Sequence, residues 1–80
     1  MRAYVLVETG AGEAQTAKRG LEQLDLADTK VLSVDVVIGP CDVIVQFESP
    51  DLDKIGLALS AIEQVEGLRR TATCLVIRLS

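Results

Sequence analysis

The middle of the chain carries two apolar runs joined by a tight corner, and it reads Val36-Val37-Ile38-Gly39-Pro40-Cys41-Asp42-Val43-Ile44-Val45. Short runs that are rich in Val and Ile and bounded by turn residues are typical of β-strands. Gly39 allows backbone angles that a Cβ forbids, and Pro40 fixes its own φ at about −65°. The stretch therefore predicts a β-hairpin. Its corner, residues 39–42, is where we expect a ligand to meet the backbone.

Four strands are predicted in all, at residues 2–8, 30–38, 43–48 and 68–79. The first is apolar almost throughout, which is typical of a central strand with both faces covered. In the second, the even-numbered apolar residues from Leu32 to Ile38 are expected to face the helices. Ser33 and Asp35 then lie on the other face, which suits an edge strand.

Two helices are predicted between the strands. The first follows Gly12, and its buried stripe is expected to contain Ala14, Ala17, Leu21 and Leu24. The second is expected to start at Ser49 as N-cap, with Pro50 in the first helical position, and to stop at Gly67. Its predicted buried stripe contains Leu52, Ile55, Leu59 and Ile62.

The resulting order β-α-β-β-α-β predicts a ferredoxin-like α+β fold, with a four-stranded antiparallel sheet and both helices on one face. The opposite face then stays bare, and it is expected to carry Val31, Val37 and Ile44 together with one apolar set each from the first and fourth strands. Large exposed apolar patches usually mark interfaces. We therefore expect a homodimer with sheets packed face to face, in the manner of a dimeric α/β barrel.

Composition limits the possible functions. The chain has 80 residues, of which 49% are hydrophobic, and we expect one domain spanning residues 1–80. A net charge of −4, with scattered basic residues, argues against direct DNA binding. No apolar run approaches the ~20 residues that span a bilayer, and no signal peptide is visible. We therefore expect a cytoplasmic protein with reduced thiols.

Enzymatic activity is not expected. The sequence has no His, and it shows no nucleophile motif, phosphate loop, cofactor motif or metal-ligand spacing. A small dimeric enzyme stays the least favoured alternative. Cys41 in the corner is a candidate redox sensor, but the adjacent Asp42 discourages the thiolate that such a role needs. Cys74 is most simply a small apolar residue.

Two segments resemble the Lrp/AsnC family of transcription regulators. Residues 37–47 resemble the family's Gly-x-x-Asp hairpin, and residues 67–77, which read Gly-Leu-Arg-Arg-Thr-Ala-Thr-Cys-Leu-Val-Ile, resemble its Gly-Val-x-x-Thr-x-Thr last strand. The likeness covers nearly the whole chain and only the family's effector domain, called RAM for regulation of amino-acid metabolism. The family's DNA-binding helix-turn-helix domain has no counterpart, so the chain resembles a stand-alone effector domain.

This resemblance implies a function and a set of partners. Family members dimerise through their sheets, assemble further into tetramers to octamers, and bind amino acids in clefts between dimers. The chain is thus expected to bind a small amino acid or related metabolite and to modulate transcription or metabolism. An alternative is an interaction subunit that co-assembles with full-length Lrp/AsnC regulators and has no ligand of its own.

The expected ligand-binding residues are Gly39, Pro40, Cys41, Asp42, Thr71 and Thr73, with the corner and the facing strand end assigned through the resemblance. A turn with Gly can bind a carboxylate through its amides, Asp42 can bind an ammonium group, and threonine hydroxyls can donate and accept. Simpler roles stay open. Asp42 can merely cap the turn, and the threonines can be ordinary β-branched strand residues.

Overall fold

The fold follows the predicted order of elements. A computed structural model describes residues 1–79. Its elements are β1 (Arg2–Thr9), α1 (Ala14–Glu22), β2 (Lys30–Val36), β3 (Val43–Glu48), α2 (Leu52–Ile62) and β4 (Leu68–Leu75). The strands form one antiparallel sheet in the order β2-β3-β1-β4. The ferredoxin-like α+β prediction is confirmed, with β1 and β3 in the centre.

The core lies between the sheet and the two helices. Alternate residues of the central strands point into it, as the period of two in a strand requires. The strands contribute Ala3, Val5, Val7, Val43, Val45 and Phe47, and the helices contribute Leu21, Ile55, Ala58 and Ile62. Because one cluster joins both helices to the same strand faces, both helices cover the same side of the sheet.

The start of α2 differs from the prediction. The N-cap is Asp51, whose side chain accepts a hydrogen bond from the Lys54 N–H at 2.9 Å, so Ser49 and Pro50 precede the helix. Ser49 is buried instead, and its hydroxyl lies 2.7 Å from that of Thr29. Ser and Asp are both good caps, and here the residue nearer the helix takes the role.

Two further details of α2 were predicted wrongly. Leu52 is 56% exposed, and Ala58 replaces it in the buried stripe. The helix ends at Ile62, and Gly67 instead sits before β4 with φ of 95°. A Cβ on Gly67 would lie 3.2 Å from the Glu13 carbonyl oxygen. Gly67 therefore serves a left-handed turn that approaches the start of α1 closely, rather than a helix stop.

The outer strands are shorter than predicted. β2 ends at Val36, and Ile38 is fully exposed rather than facing the helices. The register of β2 shifts between Val31 and Ser33, so Val31 packs against the core and not on the bare face. A bulge adds one residue to a strand, so the residues before it face the side opposite to the one that simple alternation predicts. The sequence pattern did not reveal this bulge.

The last strand also stops early. β4 ends at Leu75, four residues before the predicted end, although the Val76 N–H still donates to the Arg2 carbonyl at 3.0 Å. Ile77 and Leu79 are 71% and 90% exposed. Leu75 pairs with Ala3, and β1 begins at Arg2, so almost nothing of that strand is left for the residues after Leu75 to pair with.

Close packing explains Gly20 in α1. A Cβ there would lie 2.6 Å from Cγ1 of Val65, whereas a Cβ on Gly56 in α2 would meet nothing within 4 Å. We expect Gly56→Ala to raise the free energy of unfolding by about 0.5–1 kcal/mol, because Ala favours helices over Gly. The free energy of unfolding of Gly20→Ala should be about 1–3 kcal/mol lower than that of Gly56→Ala, because overpacking opposes the gain in helix propensity.

Urea denaturation of both single variants measures this difference. A Gly20→Ala/Val65→Ala double variant serves as the control, because removing the Cγ1 atom should relieve the overlap. Equal stabilisation by the two glycine substitutions would contradict the packing argument.

Candidate functional site

The side of the sheet away from the helices, here called the open face, has an apolar centre and a polar margin. The strand registers place its residues in rows across the sheet. The rows are Ser33–Gln46–Tyr4–Cys74, then Asp35–Ile44–Leu6–Ala72, and at the corner end Glu8–Arg70. The apolar residues lie on the three strands β3, β1 and β4, while β2 contributes polar ones. The predicted apolar open face is thus present, centred on Leu6 and Ile44.

The corner docks onto the end of β1 through Asp42. Its N–H donates to the Val7 carbonyl at 2.8 Å, and its carbonyl accepts from the Val37 N–H at 2.9 Å. One carboxylate oxygen, Oδ2, accepts from the Thr9 N–H at 2.8 Å and lies 3.3 Å from the Thr9 hydroxyl. Asp42 therefore joins the hairpin to the central strand, a broader role than capping its own turn.

A cavity of about 310 Å³ lies where the corner meets the open face, and we call it the corner cavity. Its lining consists of Leu6, Glu8, Pro40, Cys41, Ile44, Arg70, Thr71 and Ala72. Leu6, Ile44 and Ala72 belong to one row of the sheet and form an apolar floor. Pro40 and Cys41 stand beside that floor. The volume is at the lower end of the range for small-molecule sites.

The structure gathers half of the predicted site residues at this cavity. Pro40 and Cys41 line it from the corner and Thr71 lines it from β4, although Thr71 pairs with the core residue Val7, which places its side chain on the helix side of the sheet. Gly39 and Asp42 do not line it, although they belong to the same corner. Thr73 also lies outside the lining, and its pairing with Val5 places it on the helix side of the sheet.

Two charged residues of the cavity were missed by the sequence analysis. Glu8 and Arg70 face each other across β1 and β4, and Arg70 Nε lies 3.8 Å from Glu8 Oε2. Their side chains are 48% and 80% exposed, so solvent screens the pair and its contribution to stability is small. Pairing of opposite charges across neighbouring strands is the signal that would have revealed them. That pairing can be recognised only when the β1–β4 register is known.

A second depression lies at the opposite end of the strands and is larger, at about 580 Å³. It is lined by Met1, Leu26, Asp28, Thr29, Lys30, Glu48, Ser49 and Pro50. Internal contacts already occupy much of its polar lining: the Met1 ammonium donates to the Ser49 carbonyl at 2.6 Å, and Lys54 pairs with Asp28 at 3.4 Å. It also contains none of the predicted ligand residues. The corner cavity is therefore the better candidate site.

No metal centre and no membrane-spanning helix is found in the described part of the chain. Among residues 1–79, His, Cys, Asp and Glu side chains do not gather into groups of three or more. Neither α1 nor α2 has the length and apolar character needed to cross a membrane.

Comparison with solved structures identifies the fold. The Thermus thermophilus protein TTHA0845 has a TM-score of 0.82 and 25% identity, over 99% of this chain and 95% of that one. Escherichia coli AsnC has a TM-score of 0.82 and 16% identity, over 98% of this chain and 51% of AsnC. The chain has the fold of the Lrp/AsnC effector domain.

A third solved structure shares this fold. The transcriptional regulator NMB0573 of Neisseria meningitidis, solved in complex with L-Met, has a TM-score of 0.76 and 18% identity. The match covers 96% of this chain and 49% of that one, so the chain spans about half the length of this regulator and of AsnC. No protein-family model and no curated protein matches the sequence. The predicted resemblance to Lrp/AsnC proteins is confirmed by the structural likeness.

The contact between Asp42 and Thr9 predicts a measurable effect on stability. We expect Asp42→Ala to lower the free energy of unfolding by about 1–3 kcal/mol, because the part-buried Thr9 N–H loses its acceptor. Asp25→Ala, at an exposed loop position, should change it by less than about 0.5 kcal/mol.

Chemical denaturation measures the free energy of unfolding of both variants. In addition, amide hydrogen exchange at Thr9 should accelerate in Asp42→Ala. An unchanged exchange rate would show that the carboxylate does not hold the corner on β1.

Proposed function

We propose that the chain is a non-enzymatic effector-binding and oligomerisation module related to Lrp/AsnC regulators. It dimerises through the open face and binds a small amino acid or related metabolite beside the corner. The observation that carries this proposal is the position of the corner cavity at the end of an apolar face left uncovered by both helices. The shared fold with the L-Met-bound Neisseria regulator supports the amino acid as the ligand class.

The six predicted residues take different parts in the proposed site. Pro40 and Cys41 form one wall, and Thr71 lines the cavity from β4, although its pairing with Val7 places its side chain on the helix side of the sheet. Asp42 holds that wall against β1 through Thr9. Gly39 has open space where a Cβ would stand, which leaves its backbone accessible, and Thr73 is exposed on the helix side of the sheet. Gly39 and Thr73 would act only where a further subunit approaches.

Regulation in this proposal works through assembly. The corner cavity opens on the same side of the sheet that a second copy would cover, so the dimer and the bound ligand share a boundary. Tetramers to octamers would then form from dimers. A ligand shifts such an equilibrium only by its difference in affinity between the free and assembled states. With a net charge of −4, the chain would act on transcription through partner regulators and not by binding DNA itself.

Dimerisation through the open face is tested by placing a charge on it, in the row next to its apolar centre. Tyr4 is 38% exposed, and its hydroxyl accepts a hydrogen bond from the Gln46 side chain at 3.1 Å. We expect Tyr4→Glu to yield monomers, because two like charges would be buried across a two-fold interface. Leu57→Glu on α2, where Leu57 is 64% exposed, should preserve the dimer.

Sedimentation equilibrium and light scattering give the masses of the wild type and both variants. A wild type that is monomeric at micromolar concentration would refute the proposed interface. A Tyr4→Glu variant that stays fully dimeric would place the interface elsewhere on the molecule.

Ligand binding is tested by isothermal titration of the wild type with each of the twenty amino acids. We expect saturable binding of at least one, accompanied by a shift in assembly mass. A folded, assembled protein that binds none would contradict the effector role. It would then favour the interaction subunit, which capture of full-length Lrp/AsnC regulators by the tagged chain would detect.

A further inference from the structure

Two oppositely charged residues, Glu8 and Arg70, line the corner cavity together. We propose that Glu8 binds the ammonium group and Arg70 the carboxylate of an α-amino acid whose apolar side chain rests on the cavity floor. This inference rests on the proposed function and assigns its recognition residues. It also gives Asp42 a positioning role instead of direct contact with the ammonium group.

The geometry supports this assignment in three respects. Glu8 and Arg70 are directly opposite residues of β1 and β4, and both line the corner cavity. Their mutual contact of 3.8 Å is too long for a hydrogen bond, so each group retains capacity for a ligand. A zwitterion would replace this weak pair by two charge-assisted contacts, in which the guanidinium fork suits a carboxylate.

The cavity floor determines the class of side chain. Leu6, Ile44 and Ala72 lie side by side in one row of the sheet, next to Pro40. A polar or charged ligand side chain resting on this floor would lose hydration without gaining a partner. An aliphatic or thioether side chain instead gains free energy by leaving water. The expected ligands are therefore amino acids such as leucine, isoleucine or methionine.

Asp42 is less suited to direct recognition. Its Oδ2 oxygen already accepts the Thr9 N–H at 2.8 Å, and the residue does not line the corner cavity. Glu8, by contrast, lines the cavity, and its side chain is about half exposed, at 48%. The same hairpin thus supplies the wall of the cavity, while the β1–β4 pair supplies the charges.

The experiment combines protein variants with ligand derivatives. Isothermal titration compares L-leucine, L-isoleucine and L-methionine with L-aspartate and L-lysine on the wild-type protein. The tightest binder is then tested as its N-acetyl derivative, which lacks the ammonium group, and as its carboxamide, which lacks the carboxylate. The variants are Glu8→Gln and Arg70→Gln. The controls are Glu66→Gln and Arg69→Gln, which change residues of the same types outside the cavity lining.

We expect Glu8→Gln and Arg70→Gln each to weaken binding of the free amino acid by about 10- to 100-fold. Glu8→Gln should leave the affinity for the N-acetyl derivative unchanged, and Arg70→Gln the affinity for the carboxamide. Arg70→Lys should recover part of the loss, because it keeps the charge without the fork. The two controls should bind as the wild type does. The circular dichroism spectrum and the assembly mass of every variant should match those of the wild type.

The possible failures are distinct from one another. Binding of an apolar amino acid by the wild type with no loss in Glu8→Gln and Arg70→Gln would overturn this inference and leave the proposed function standing. Tighter binding of L-aspartate or L-lysine than of the apolar amino acids would overturn the assignment of the floor. Absence of binding by every one of the twenty amino acids would overturn both the inference and the proposed effector role.

Discussion

A four-stranded sheet with helices on only one side is the constraint on which the rest of this molecule depends. The central strands direct alternate residues from Ala3 to Val7 and from Val43 to Phe47 into the core, where α1 and α2 cover them. Each large apolar side chain buried there contributes roughly 1.5–3 kcal/mol. The other residues of the same strands, Leu6 and Ile44 among them, point away from both helices. Strand geometry thus produces a well-buried core and an apolar open face together.

The open face and the corner are connected by Asp42. Its N–H donates to the Val7 carbonyl and its carboxylate accepts from the Thr9 N–H, and these contacts tie the hairpin to the central strand. Pro40 and Cys41 are thereby held beside the apolar floor, at the end of the face where Glu8 meets Arg70. A second copy laid on the open face would close this cavity. Assembly and ligand binding would then depend on the same surface.

Much of the fold was predictable because local patterns agreed with one another. The hairpin around residues 39–42, the strand at 2–8 and the stripe containing Ala17 and Leu21 were all identified from spacing alone, and right-handed crossovers then fixed the strand order. The errors arose where long-range contacts decided the outcome. The bulge of β2 moved Val31 to the core, and the position of Asp51 gave it the cap that Ser49 was expected to provide.

The candidate site, like the fold, was predictable only in part. Residue types and their order along the chain determined the element order, the apolar character of the open face and the corner as the place to look for a ligand. These follow from backbone conformation and periodicity, which nearby residues specify. The tertiary structure alone decided that Asp42 bonds to Thr9, that the side chains of Thr71 and Thr73 both lie on the helix side of the sheet, and that Glu8 pairs with Arg70. Such contacts join residues more than thirty positions apart, and they depend on strand register, which is settled only when the whole sheet packs on its core.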